Sequence, residues 1–179
     1  MAGCKLLQSI KRECQYKIAG VKSLFLMNWD LATQYTFDSD GVITGITPYS
    51  GGKIFQIDFV DNTASWTDDL TLVNNSQKYR VHTVNFQLGD YNKDVLDSAD
   101  ALSLGQFVAF VLDENNRIIT LGRENGLSAT VMNYASGAAE GDATSWSVVL
   151  AGNEHETGRL VSDLSVITSL VDNITVLTN

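Results

Sequence analysis

DVLDSADALSLGQFVAFVLDENNRIITL, residues 94–121, sets out a helix, its stop, a strand, a turn and a returning strand in unbroken succession. Val95, Leu96, Ala99 and Leu102 recur at the spacing that lines one face of a helix over 94–103. Gly105 stands just past it, where glycine commonly ends a helix. The run 107–112 (FVAFVL) is too short for a helix of its own and is expected as a strand buried on both faces. Asp113-Glu114-Asn115-Asn116 then turns the chain, and 117–121 returns antiparallel. Two further strands follow at 127–134 (LSATVMNY) and 146–150 (WSVVL), the second with Trp146, Val148 and Leu150 on one face. The implied unit is a sheet packed by one helix.

Upstream of this stretch, 53–60 (KIFQIDFV) alternates, with Phe55, Ile57 and Phe59 opposed to Gln56 and Asp58. The segment 80–88 sets Val84, Phe86 and Leu88 against Thr83, Asn85 and Gln87, so both read as half-buried antiparallel strands. Between them, 61–79 is a long connection in which Asp61, Trp66, Leu70, Leu72 and Val73 stand among acids and amides. Such a loop is uncommon in a compact domain and usually functional. It folds either as an extra hairpin over the core or as an assembly arm packing on another subunit. The arm is the preferred reading, because exposed tryptophan and leucine are costly for a monomer.

Nearer the N-terminus, 21–27 (VKSLFLM) is a strand, and 33–37 with 42–47 form a hairpin about Asp38-Ser39-Asp40-Gly41. Those acids look like the start of a calcium loop, but Tyr49 holds the twelfth position where a glutamate is required. An Asx-stabilised turn is therefore expected. The segment 4–15 places Leu6, Leu7, Ile10 and Cys14 on one stripe, as an amphipathic helix or docking arm. At the other end, Leu160, Val161, Leu164, Ile167, Thr168 and Val171 form a helical stripe over 158–172. Residues 174–177 add an edge strand or continue that helix. The expected fold is mainly β (α+β), an antiparallel β-sandwich or half-open barrel flanked by one central helix. It is a single domain, 1–179, with an N-terminal arm or helix (1–19), an assembly loop (61–79) and a C-terminal helical tail (157–179).

Composition bounds what such a domain does. With 179 residues and 44% hydrophobic content, the chain can bury about 70% of its unfolded surface and needs no disulfide. Cys4 and Cys14 would lie roughly 15 Å apart along one helix, too far to bridge. The two histidines, His82 and His155, are isolated and no CxxC pair exists, so neither metal nor cofactor is expected. No signal peptide or membrane span is recognisable, and a reducing cytoplasm is expected as the site of synthesis. The net charge of −9 disfavours binding nucleic acid by charge attraction. No GxGxxG, P-loop, HExxH or GxSxG is present. His82, within a strand, is expected to be packed or partly exposed rather than to act as a base. His155, flanked by Glu154 and Glu156, belongs to a solvated acidic loop, and without a signal peptide the glycosylation triplets at Asn74 and Asn173 are chance matches. A non-enzymatic protein is expected.

Ser9-Ile10, Cys14, Gly20-Val21-Lys22 leading into an apolar strand, and the Asp40-Gly41-Val42-Ile43-Thr44 hairpin occur in an order similar to that of bacteriophage tail-tube proteins. The similarity continues through Glu124-Asn125-Gly126-Leu127, the Ser136-Gly137 and Gly141-Asp142 loop, and the strand from Trp146 to Leu150 that ends at Glu154. The nearest likeness is to tube or tail-ring proteins of phages of gut Bacteroidota, including the crAss-like group. In that family glycine often precedes the aromatic residue after the Gly-Asp loop; here Ser145 does.

The resemblance implies copies joined edge to edge into a ring, with rings stacked through a long loop at the place of residues 61–79. It implies a virion structural protein of the tail, assembled in the host cytoplasm, whose partners are itself, in a hexameric or higher ring, and other tail or connector proteins. DNA would pass without specific binding. Six copies at −9 each would give an acidic bore that repels DNA within a Debye length of about 8 Å. Asp38, Asp40, Asp58, Asp113 and Glu114 are lumen candidates, being on polar strand faces or hairpin tips. A head-to-tail connector or tail-ring protein of the same fold is the alternative. From another class, a monomeric β-sandwich would bind a peptide or sugar on its Trp66 or Trp146 surface.

Overall fold

A computed structural model describes residues 9–10, 14–74, 76–89 and 91–172. The segments expected at 4–15 and 174–177 lie, the first in the main and the second entirely, outside them. The chain forms β1 (Val21–Asn28), β2 (Gln34–Phe37), β3 (Ile43–Thr47), β4 (Ile54–Ile57), β5 (Ser65–Val73) and β6 (Gln77–Leu88). Helix α1 (Lys93–Leu104) precedes β7 (Gln106–Asp113), β8 (Ile118–Leu121), β9 (Leu127–Ala135), β10 (Ser145–Glu154) and β11 (Arg159–Val161). A single helical turn, α2 (Ser165–Thr168), follows. The fold is mainly β, a sandwich or half-open barrel with a flanking helix.

β7 is the hinge of the sheet. β1 pairs along it, as do β8 and, at its first residues, β9. One leaf runs β4-β1-β7-β8-β11-β3-β2 and the other β9-β10-β6-β5. Phe107, Ala109 and Val111 enter a core shared with Val84 and Phe86 of β6 and Val148 and Leu150 of β10, so the leaves face each other across it. The alternate residues Val108, Phe110 and Leu112 point the other way, into a second core with Ile43, Ile54, Val161 and Ile167. The apolar run 107–112 is thus buried on both faces, because side chains alternate along a strand and both sides are covered.

α1 starts where the Asn92 side chain accepts the Val95 N–H, at 2.9 Å, a standard N-cap. Leu102 is buried and Val95 packs beside it, whereas Leu96 is exposed. Gly105 has an extended backbone, so its reason is close approach. A Cβ there would meet the Ala101 carbonyl oxygen at 2.6 Å and the Phe107 ring at 2.7 Å.

Three expectations need correction. Residues 61–79 are not a loop, since β5 and the start of β6 occupy most of them and pair antiparallel as a hairpin. The strand expected at 53–60 is only β4, with Ile54 buried in the second core and Phe55 exposed. The helical tail over 157–179 is replaced, among the described residues, by β11 and the one turn of α2. There Leu160 pairs with Ile119, and a Cβ on Gly158 would approach the Ile119 and Leu121 side chains to 3.0 Å. The Asp163 carboxylate accepts the Ser165 N–H at 2.7 Å, so the helical turn begins only after it. Val161 and Ile167 are still buried, as the stripe required.

Candidate assembly surfaces

β5 and β6 form a hairpin with Ser65 opposite Asn85 at one end and Val73 opposite Gln77 at the other. Asn74 takes the positive φ of 51° that the turn needs, which asparagine tolerates better than most residues. β5 ends its leaf and β2 ends the other, and neither has a further strand on its outer side among the described residues. Such edges present unpaired N–H and C=O groups, ready to template another strand.

One face of β5 carries Trp66, Asp68, Leu70 and Leu72, opposite Val84, His82, Arg80 and Lys78. Trp66 packs against the first core, so it is not an exposed arm residue as expected. Past Asp68 the same face leaves the body: Leu70 is 59% exposed and Leu72 53% exposed. Val73 is half-buried, and Asp61 is exposed ahead of the strand. The tip of the hairpin therefore overhangs the sandwich with two leucines uncovered.

A polar clasp holds the hairpin at the point where it departs. Asp68 Oδ1 accepts from Arg80 Nε at 2.5 Å, and Oδ2 accepts the Gly158 N–H at 3.0 Å. Arg80 also donates to the Asp68 carbonyl at 2.8 Å. Buried His82 accepts the Gly122 N–H on Nδ1 at 3.2 Å, which leaves its proton on Nε2, 3.3 Å from Asp68 Oδ1. Burial alone would raise the Asp68 pKa. The bonds from Arg80 and Gly158 and the neighbouring charges outweigh it and hold the carboxyl below its usual range. Both carboxylate oxygens and the imidazole Nδ1 are committed to fixed donors, so the pair is built to hold shape. Of the two expected settings, His82 takes the packed one.

The lumen candidates are not gathered in one place. Asp38 and Asp40 are exposed at the β2–β3 turn, where Asp38 Oδ1 accepts the Asp40 and Val42 N–H groups at 2.9 Å. This is the Asx turn read from the sequence. Asp58 is exposed beyond β4, and Glu114 is exposed at the β7–β8 turn. Asp113 is a correction, being only 4% exposed. Its Oδ1 accepts the Asn115 and Arg117 N–H groups at 2.9 and 2.8 Å, and Oδ2 accepts Arg117 Nε at 2.8 Å. Burial raises its pKa, but these Arg117 and Asn115 bonds prevail and lower it. Asp113 staples a turn and cannot line a bore.

Sequence reading missed a second charged cluster. Arg123 donates to Glu156 at 2.5 Å and Arg159 donates to the same carboxylate at 2.9 Å. Arg123 also lies over the rings of Tyr35 and Phe37, 5.6 and 5.4 Å from their centroids, within cation–π range. Glu154 is buried and accepts the Glu124 and Asn125 N–H groups at 3.1 and 3.0 Å. In the supposed solvated acidic loop Asn153 and His155 are exposed, but the glutamates on either side of His155 are committed to fixed donors. Arg159, only three residues after Glu156, was the available signal; Arg123, distant in sequence, joins that carboxylate only in the fold.

Trp146 is no open binding platform. Tyr91 stacks on it at 5.5 Å with planes 7° apart, and Tyr134 tilts against both. A cleft of about 510 Å³ does open between α1 and residues 56–60. Among the described residues no cluster of His, Cys, Asp and Glu is arranged to hold a metal, and no helix is long and apolar enough to cross a membrane. No protein-family model, curated protein or solved structure matches this chain.

Proposed function

We propose that this is a virion structural protein that oligomerises through its sheet edges into rings, which stack to form a phage tail tube. The observation that carries the reading is the β5–β6 hairpin: a nine-residue edge strand with no strand on its outer side among the described residues, whose tip overhangs with Leu70 and Leu72 uncovered. An edge of this length is an aggregation hazard on a monomer and an asset in a closed ring. β2, with exposed Phe37, offers the complementary edge of the other leaf. Joining two different edges is a heterologous contact, which closes into a ring where the rotation allows. Exposed acids such as Asp38, Asp40, Asp58 and Glu114 would keep a bore from holding DNA. A connector or tail-ring protein uses the same contacts in one fixed ring. Light scattering on the purified protein tests the reading: particle masses that are multiples of 19.5 kDa are expected, and a monomer mass at every concentration would overturn it.

A further inference from the structure

The cleft beside α1 and the chain's N-terminal arm are complementary in both charge and apolar character. Ile57, Val60, Leu88, Val95 and Leu102 give the cleft an apolar lining, and Asp58 and Asp94 add charge to it. Asp100 follows Asp94 along the exposed part of the same helix, while Asp97 there is already paired with Lys93. The arm is the reverse. Four of the chain's 12 Lys and Arg residues, Lys5, Lys11, Arg12 and Lys17, fall in its first 19 positions, against one of its 21 acids, Glu13. A chain that is acidic overall therefore carries a basic leading segment, which also bears exposed Ile10, Tyr16 and Ile18.

The root of the arm is pinned to the β7–β8 turn. Asn115 in the β7–β8 turn accepts the Ile18 N–H at 3.2 Å and donates to the Ile18 carbonyl at 2.9 Å. The Glu114 N–H reaches the Gly20 carbonyl at 3.3 Å. β7 lies on one side of β1, and β4, which leads into the cleft, lies on the other. The root of the arm thus sits on the β7 side of β1, across that strand from the cleft.

We infer that the basic N-terminal arm of one copy docks into the acidic cleft between α1 and residues 56–60 of a neighbouring copy. This rests on the homo-oligomeric reading above and adds to it a second, non-edge contact. Apolar side chains of the arm fill the floor, and its lysines and arginine meet the acidic rim. Such a contact between charges near the surface is expected to weaken as salt rises.

Site-directed cross-linking tests it in the full-length protein. One partner carries Cys4→Ser, leaving the exposed Cys14 as its arm thiol. The other carries Cys4→Ser, Cys14→Ser and Ser98→Cys, so that its only thiol lines the cleft. After mixing and treatment with a bis-maleimide, a covalent pair of the two chains is expected. Its yield should fall several-fold at high salt or with Lys11→Glu/Arg12→Glu, and recover when that arm meets Asp58→Lys/Asp94→Lys. A single chain with Cys14 and Ser98→Cys that links only internally would overturn docking between copies. Light scattering of the same mixtures separates the two readings. Oligomers without the mixed product would overturn the arm contact alone, and monomers throughout would overturn the homo-oligomeric reading with it.

Discussion

Replacing both overhanging leucines, Leu70→Ser with Leu72→Ser, should disable assembly while leaving the subunit folded. Fully burying a leucine is worth about 1.5–3 kcal/mol. With 59% and 53% of these side chains still accessible, roughly half of that remains to be gained in a contact. The two together would supply about 2–3 kcal/mol per interface, which is roughly a 30- to 150-fold change in its dissociation constant. Within the subunit the cost should stay under about 1 kcal/mol, as is usual for exposed positions. Sedimentation velocity over a concentration series reads the first quantity and thermal unfolding the second. The double variant should assemble only at much higher concentration, with a near-native Tm. Unchanged assembly would refute the role given to the hairpin tip, and a large fall in Tm would show that the leucines belong to the subunit's own core.

Asp68→Asn removes the charge from the clasp with Arg80, whose side chains are 15% and 26% exposed. A loss of about 2 kcal/mol is expected, or a Tm lower by about 4–8 °C in a domain of this size, and an unchanged melting curve would contradict the clasp. Asp68, Asp113 and Glu156 all have folded pKa values lowered by their partners against the opposing effect of burial. The unfolded chain therefore binds more protons as pH falls. Their stabilisation is complete above the ordinary carboxylate range of about pH 4 and is lost as pH drops through the lower folded values. A Tm that stayed flat between neutral and strongly acidic pH would refute this. Gly152→Ala would place a Cβ 2.2 Å from the Gly126 carbonyl oxygen, and a loss of at least about 2 kcal/mol is expected in urea titration. Phe110→Ala, in the second core, should cost about 3–5 kcal/mol; a loss below about 1 kcal/mol would mean that this core is not packed.

The centre of the fold was legible because its side chains repeat without interruption. An apolar run too short for a helix, bounded by Gly105 and by Asp113 to Asn116, has little choice but a strand covered on both sides. The edge strand was harder to see. Trp66, Leu70 and Leu72 keep the period of two, but Asp68 breaks the pattern from the same face. Its partners Arg80, His82 and Gly158 make that position habitable, and they come together only in three dimensions. Asp113 was misplaced for the same reason, since a carboxylate in a turn reads as solvated until Arg117 folds back onto it. The tail misled differently. A stripe repeating every three to four residues can be buried piecewise, first by β11 against β8 and then by α2, without one continuous helix. Pairing with a distant strand outweighed local periodicity there.

Electron microscopy of the purified full-length protein, negatively stained across a range of concentrations, is the most direct test of edge-to-edge assembly. Rings or hollow tubes of uniform diameter, with an open centre, are expected. Particles that remain single subunits at high concentration, with the β5 edge free and intact, would contradict the proposal that this chain builds a conduit.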